Sequence, residues 1–181
     1  KEPDERVNTL RNSPTLFSVA TEVVLLLRSF ISERQQANGG GTGRFTATII
    51  LAGQIAGMEP RLFLIYPEGN FIEAGLDTPF FQIGETKYGR PIILRGYDRD
   101  MSFEDAVKLL MVSFDSTLKA NLSVGLPLDL MVIGKDDFAS THERRVTADD
   151  PYFGEISSSW GDALKAAFHS LPDYDFASTK D

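Results

Sequence analysis

The sequence predicts an α+β fold in which helices pack outside two stacked antiparallel sheets. Three observations lead to this prediction. A long helical pattern comes first, β-rich segments joined by turns follow it, and two helices, two strands and a last helix complete the order. With 181 residues, of which 42% are hydrophobic and 24% charged, the chain suits one domain spanning residues 1–181.

The first helix is predicted from Pro14 to about Gln36. Ser13 is the expected N-cap, and Pro14 takes the first helical position, where its missing N–H is not needed. Apolar residues recur at steps of three and four and define one face: Leu16, Val19, Val23, Leu26, Leu27 and Phe30. The glycine-rich residues 38–43 are interpreted as a loop that ends this helix.

Strands are predicted at residues 45–52, 62–66 and 71–74, which are rich in β-branched and aromatic side chains. Residues 67–70 have the sequence Pro-Glu-Gly-Asn, which is typical of a tight turn. The second and third strands are therefore expected to form a β-hairpin. A further short strand is predicted at residues 80–83.

Two helices are predicted next. Gly84 opens the first, which reaches about Leu94, and Pro91 is expected to kink or break it. Ser102 caps the second. Its apolar positions predict a buried face: Phe103, Ala106, Val107, Leu110 and Phe114.

The last part of the chain predicts two strands and a helix. Residues 126–133 are apolar apart from Asp129, which is typical of a strand covered on both faces, and a polar strand is expected near residues 144–147. A helix should begin at about Asp150 and end at His169. Four residues at steps of four predict its buried stripe: Ile156, Trp160, Leu164 and Phe168.

Composition excludes several function classes. The formal charge of -8 repels phosphate backbones, so nucleic acid is not an expected partner. No apolar run approaches the roughly 18 residues of a membrane span, so no membrane association is expected either. The chain has no cysteine, which favours a reducing compartment, and the cytoplasm is predicted.

Histidine and glycine patterns bear on cofactors. His142 and His169 are far apart in sequence, which disfavours both a multi-histidine metal site and a Ser-His-Asp triad. Residues 39–43 lack the Gly-Lys-Ser/Thr ending of a phosphate-binding loop, so a small-molecule binding domain has little support. Neither a metal nor another cofactor is predicted.

Several segments resemble proteasome β-type subunits in the same order. They include residues 47–54, 60–66, 81–88 and 101–106. The closest resemblance is to the Anbu family of bacterial proteasome-like subunits. Four segments carry it: Arg-Leu-Phe-Leu-Ile-Tyr at residues 61–66, Gly-Asn-Phe-Ile-Glu-Ala at 69–74, Asn-Leu-Ser-Val-Gly at 121–125 and Asp-Asp-Pro-Tyr-Phe at 149–153.

The resemblance implies a four-layer αββα sandwich of the N-terminal-nucleophile hydrolase type. In such enzymes an amino-terminal threonine attacks the carbonyl carbon, with its own α-amine or a linked water as base. This chain begins with Lys1, and its first helix resembles the family's second helix, so the opening strands and the nucleophile are expected upstream of residue 1. Without those strands, the apolar faces at residues 45–52 and 126–133 would lack cover.

Three supporting catalytic residues follow from the resemblance. Asn121 stands where the family has an aspartate after its fourth helix, and Ser123 lies beside Val124, where the family has a serine. Glu85 stands where the family has a serine after the glycine turn. Structural roles are the alternative: Asn121 and Ser123 would end a helix and shape a turn, and Glu85 would favour a helix N-terminus through its charge. Residues 149–151 are interpreted as a helix cap rather than as metal ligands.

The leading functional hypothesis is a self-compartmentalising threonine peptidase or amide hydrolase. The resemblance implies a homo-oligomer, as a ring or an open helical ring, that acts on a peptide or amide substrate. The alternative is a non-catalytic scaffold subunit of the same fold, favoured by the absent nucleophile and by the changes at Glu85 and Val124. The need for an unfoldase partner stays open.

Overall fold

The computed structural model describes residues 12–37 and 46–176, and its elements follow the predicted α+β order. They divide into two units. The first contains the described residues up to Gly84 together with Ile133–Thr141, and the second contains Glu85–Val132 and the described residues from His142 onward. The elements are α1 (Leu16–Ala37), β1 (Ile49–Gly53), β2 (Arg61–Ile65), β3 (Phe71–Glu73), α2 (Arg90–Gly96), α3 (Phe103–Ala120), β4 (Leu128–Val132), β5 (His142–Val146) and α4 (Pro151–His169).

The first unit contains the predicted hairpin in an antiparallel sheet of order β1-β2-β3. Tyr66 N–H donates to the Asn70 carbonyl at 2.9 Å, and Gly69 N–H donates to the Tyr66 carbonyl at 3.0 Å. Gly69 has φ +83°, a conformation that glycine adopts without steric cost. Strands β2 and β3 pair antiparallel across this turn, so the hairpin prediction is confirmed.

Helix α1 packs on one face of this sheet. Val24, Leu27 and Ile65 form a buried cluster, and Phe63 lies on the same face as Ile65 because alternate strand residues share a face. Partly buried apolar residues surround the cluster: Val23, Ile31, Ala47, Ile49, Leu51 and Phe71.

The second unit consists of α2, α3, α4 and the antiparallel pair β4-β5. Its core cluster is Met111, Val146 and Phe153. Two predicted helix caps are confirmed. Ser102 Oγ accepts from the Asp105 N–H at 3.1 Å, and Asp150 Oδ1 accepts from the Phe153 N–H at 3.0 Å.

The start of α1 differs from the prediction. Thr15, not Ser13, caps the helix: Thr15 Oγ1 accepts from the Ser18 N–H at 3.1 Å. The Thr15 carbonyl also accepts the first helical hydrogen bond, from Val19 N–H at 3.1 Å. A cap needs both contacts, and their spacing places the helix start after Thr15.

The segment around residues 80–94 was also predicted wrongly. Residues 80–83 are not a strand. Gly84 has φ +78°, which interrupts regular structure, and the helix begins only at Arg90. Pro91 therefore lies in the first turn of α2, where a missing N–H is tolerated, and does not kink a longer helix.

The predicted buried faces of α3 and α4 are only partly correct. Phe103, Leu110 and Phe114 on α3 are exposed, as are Leu164 and Phe168 on α4. The buried side of α3 instead contains Met111, Val112, Ser113, Asp115 and Thr117. Both helices are apolar on more than one side, so periodicity could not select the side that meets β4 and β5.

The strand at residues 126–133 is covered on one face. Residues of β4 alternate, with Leu128 and Leu130 half-buried and Met131 exposed. The described residues cover only one of the two faces, so the predicted cover of the second face stays a prediction. The predicted loop at residues 38–43 lies outside the described residues, and the single-domain assignment of residues 1–181 stays a prediction. None of the helices formed by residues 12–37 and 46–176 could cross a membrane.

Candidate functional site

The three residues selected from the sequence lie in one hydrogen-bonded chain. Asn121 Nδ2 donates to Glu85 Oε2 at 2.7 Å. Asn121 Oδ1 accepts from the Ser123 N–H at 2.8 Å and from the Ser123 hydroxyl at 2.7 Å. The structure therefore brings together Glu85 and Asn121, which are 36 residues apart.

The end of α3 positions Asn121. Asn121 is the C-cap residue, and its N–H donates to the Thr117 carbonyl at 2.9 Å. Its backbone is extended, with φ -138° and ψ 115°, so the chain leaves the helix axis here. The bond from Ser123 N–H to Asn121 Oδ1 is an Asx turn, which fixes the Asn121 carboxamide.

A turn before α2 positions Glu85. Glu85 follows Gly84, and Glu85 Oε1 accepts from the Lys87 N–H at 2.8 Å. Its other oxygen holds Asn121, so both carboxylate oxygens have partners. Glu85 precedes α2 by five residues, so the alternative interpretation as a helix N-terminal charge is wrong.

Helices α2 and α3 pack closely against each other next to these hydrogen-bonded residues. Gly89, the N-cap of α2, is buried and lies against Ser113 and Thr117 of α3. A side chain at Gly89 would hold the helices further apart, since a β-carbon there would lie 2.9 Å from Thr117 Oγ1. Gly89 therefore sets how close Glu85 comes to Asn121. Sequence reasoning missed this glycine because its contacts are 24 or more residues away.

The chemistry available at this hydrogen-bonded chain of side chains follows from its acceptor atoms. The Ser123 hydroxyl hydrogen is used on Asn121, but the Ser123 oxygen keeps its lone pairs and the residue is exposed. Glu85 is a carboxylate with no ion-pair partner among the residues that the structure describes. The cluster can therefore accept hydrogen bonds from, and favour the charge of, an amine placed beside it.

The aspartate pair at residues 149–150 has a structural role. Asp150 caps α4, and its side chain also accepts from Arg144 at 2.6 Å. The Phe153 N–H, and next the Arg144 guanidinium, hold the pKa of Asp150 below its usual value. The Thr147 hydroxyl lowers the pKa of Asp149 in the same way. The capping interpretation is confirmed.

The histidines occupy separate elements. His142 begins β5 and His169 ends α4. Within residues 12–37 and 46–176, no three His, Asp or Glu side chains are grouped so that they could hold a metal ion.

Comparison with known proteins gave consistent matches. A family model described as proteasome subunit matches residues 16–133. The chain is similar to Anbu from Hyphomicrobium sp. strain MC1 at 46% identity and a TM-score of 0.84, over 97% of this chain and 71% of that chain. It is similar to Anbu (ancestral beta-subunit) from Yersinia bercovieri at 42% identity and a TM-score of 0.85, over 96% of this chain and 71% of that chain.

A third match is the helical assembly of the Anbu complex from Pseudomonas aeruginosa. Identity is 40% and the TM-score 0.87, over 95% of this chain and 71% of that chain. Comparison with curated proteins gave no match. Together the matches confirm the predicted α+β fold class of the N-terminal-nucleophile hydrolase type.

Proposed function

Because this chain belongs to the proteasome subunit family, and within it to the Anbu proteasome-like subunits, we propose that it is part of a self-compartmentalising threonine-type peptidase or amide hydrolase. The proposal assigns the nucleophile to an amino-terminal threonine on the mature polypeptide, ahead of Lys1. It assigns supporting roles to Asn121, Ser123 and Glu85.

The observation that carries the proposal is the hydrogen-bonded chain from Glu85 through Asn121 to Ser123. An amino-terminal nucleophile needs its α-amine held in place beside the reacting hydroxyl group. The exposed Ser123 oxygen can accept a hydrogen bond from such an amine. The Glu85 carboxylate, held by Asn121 Nδ2 at 2.7 Å, supplies negative charge and forms no ion pair with the residues that the structure describes. This arrangement requires no histidine.

The scaffold alternative rests on the same cluster. Asn121 is neutral, and within the described residues its side chain hydrogen-bonds to Glu85 and Ser123. A purely structural cluster would have the same contacts, since they also end α3 and shape the turn that follows. Activity measurements on variants are needed to separate the two functions.

The first prediction concerns Asn121. Asn121→Ala should slow labelling of the mature protein by a threonine-directed electrophile about 100-fold, because misplacing a reacting group by about 1 Å has an effect of that size. Ser123→Ala should slow labelling up to about tenfold, because it removes one hydrogen bond to the amine. Glu85→Gln should lower the pH at which labelling reaches half its maximum, since removing a negative charge favours the neutral amine. Mass spectrometry of the labelled protein measures the rate and the modified residue.

The matched controls are Ser159→Ala and Glu155→Gln. Both residues are exposed on α4, outside the cluster. Their variants remove the same chemical groups as Ser123→Ala and Glu85→Gln. They should leave rate and pH profile unchanged. A mature polypeptide without an amino-terminal Thr, Ser or Cys would refute the proposed hydrolase function and favour the non-catalytic scaffold function. Labelling with the same pH profile in wild type and Glu85→Gln would refute the supporting role assigned to Glu85.

The second prediction concerns assembly. The Pseudomonas aeruginosa relative is described as a helical assembly. In this chain large apolar side chains are exposed on α1, including Leu25 and Leu26 at 54% and 64%, and such surfaces usually mark interfaces. We expect a homo-oligomer, as a ring or open helical ring. Sedimentation velocity at micromolar concentration should give a multi-subunit species, and monomers alone would contradict the prediction.

The expected compartment is the cytoplasm. The 181 residues contain no cysteine, so the fold depends on no disulfide and suits a reducing environment. The substrate class is a peptide or a related amide, because the proposed attack is on an amide carbonyl.

A further inference from the structure

A cavity of about 830 Å³ lies among the three helices of the second unit. It is separate from the hydrogen-bonded chain, since Glu85, Asn121 and Ser123 do not line it. Its size is within the range of roughly 300–1,000 Å³ that is usual for ligand sites. Nothing in the proposed function uses it.

The walls of the cavity are mainly apolar. Leu109 and Val112 of α3 and Leu164 of α4 contribute aliphatic surface, and Trp160 of α4 contributes an aromatic surface. Trp160 Nε1 is buried, and no described residue accepts a hydrogen bond from it. A ligand carbonyl that reached this atom would satisfy a donor that the described residues leave unpaired.

The charges at the cavity are mostly negative. Asp105 pairs with Lys108 at 2.6 Å, so these two neutralise each other. Each raises the charged fraction of the other, since the Lys108 ammonium lowers the pKa of Asp105 and the Asp105 carboxylate raises that of Lys108. The remaining charged side chains on the lining are Arg95, Asp98 and Asp100.

Arg95 is the remaining cation on the cavity lining. It lies in the last turn of α2, where a cation interacts favourably with the carbonyl end of the helix. Asp98 Oδ1 accepts from the Asp100 N–H at 2.9 Å, which fixes one carboxylate oxygen only. Neither Asp98 nor Asp100 has an ion-pair partner among the described residues. Two lining carboxylates without an ion-pair partner among the described residues favour a cation at this cavity.

We propose that this cavity binds a short peptide segment in which a lysine or arginine side chain lies next to apolar side chains. The cationic group meets Asp98 and Asp100. The apolar side chains pack on Leu109, Val112 and Leu164.

The experiment uses Trp160 as the reporter. It is the only tryptophan among the 181 residues, so its emission reports on this cavity. The assembled protein is titrated with a blocked leucyl-lysyl-leucyl amide and with the matched leucyl-glutamyl-leucyl amide. The lysyl peptide should change the emission saturably, with a Kd at least about fivefold lower than that of the glutamyl peptide. The change should be absent in Trp160→Phe.

Charge variants test the two carboxylates. The double variant Asp98→Asn with Asp100→Asn should raise the Kd of the lysyl peptide about fivefold. The matched control, Glu155→Gln with Asp162→Asn, removes the same charge from α4 at positions that do not line the cavity, and it should leave the Kd unchanged. All four positions are exposed, so the fold should tolerate the changes.

Three results would overturn the proposal. They are equal affinity for the two peptides, an emission change that persists in Trp160→Phe, and an equal loss of affinity in the control and test variants. A fourth such result is hexylamine binding as tightly as the lysyl peptide, because it would refute the peptide as the ligand. None of these results depends on hydrolase activity, so they do not bear on the proposed function.

Discussion

Phe63→Ala is expected to lower the free energy of unfolding by about 3–5 kcal/mol. Phe63 is fully buried on the face of β2 that meets α1, and its ring packs edge-to-face on Phe71 with centroids 5.6 Å apart. Truncation removes this apolar contact area and leaves a cavity that the surrounding sheet and helix cannot fill. Because a domain is usually stable by about 5–15 kcal/mol, the loss should be visible as a large shift in the urea midpoint.

Two other variants define the scale. Phe63→Leu keeps most of the volume and should cost less than about 1.5 kcal/mol. Leu76→Ala changes a side chain that is 77% exposed and should stay within about 0.5 kcal/mol of wild type. All variants are compared at one protein concentration, because assembly shifts apparent stability. If Phe63→Ala were no more harmful than Leu76→Ala, Phe63 would not be a core residue.

Local signals in the sequence predicted the elements well. The hairpin follows from Gly69 and its neighbours, and the caps of α3 and α4 follow from Ser102 and Asp150, since each residue acts within four positions of itself. The helix that contains Pro91 was predicted to begin at Gly84, whereas it begins at Arg90. A left-handed Gly84 and a side-chain turn at Glu85 end one local pattern before the next begins.

The buried faces could be predicted only in part. Helix α3 has apolar side chains on several of its sides. Whether Phe114 or Met111 is buried depends on which elements pack against the helix. That information is tertiary. Met111 is buried because it meets Val146 and Phe153, whereas Phe114 remains exposed.

The candidate site was found through resemblance and not through pattern. Glu85 and Asn121 were selected by their positions in a family, and no spacing rule joins residues 36 positions apart. Their hydrogen bond adds a physical link that the sequence did not contain. Their catalytic role stays a prediction.

Gly89→Ala is expected to destabilise the protein by about 1–3 kcal/mol through overpacking. A β-carbon at Gly89 would overlap Ser113 Oγ and lie 3.1 Å from the Ser113 backbone carbonyl, which cannot move without shifting α3. The backbone of Gly89, with φ -84° and ψ -37°, suits alanine, so the cost is steric and not conformational. Alanine also restricts the unfolded chain, which stabilises by about 0.4–1 kcal/mol, and overpacking should outweigh that gain. Thermal and urea unfolding measure the net effect.

Gly154→Ala is the matched control, because a β-carbon there meets nothing within 4 Å in the interior of α4. It should stabilise by up to about 1 kcal/mol, opposite in sign to Gly89→Ala. Combining Gly89→Ala with Ser113→Gly removes the overlapping hydroxyl, so the two changes should couple favourably by at least about 0.5 kcal/mol in a double-mutant cycle. Additive effects would refute the close contact.

Because Glu85 precedes Gly89 by only four residues, a shift of α2 away from α3 also lengthens the hydrogen bond between Glu85 and Asn121. Gly89→Ala should therefore slow electrophile labelling, and the Ser113→Gly partner should restore part of the rate.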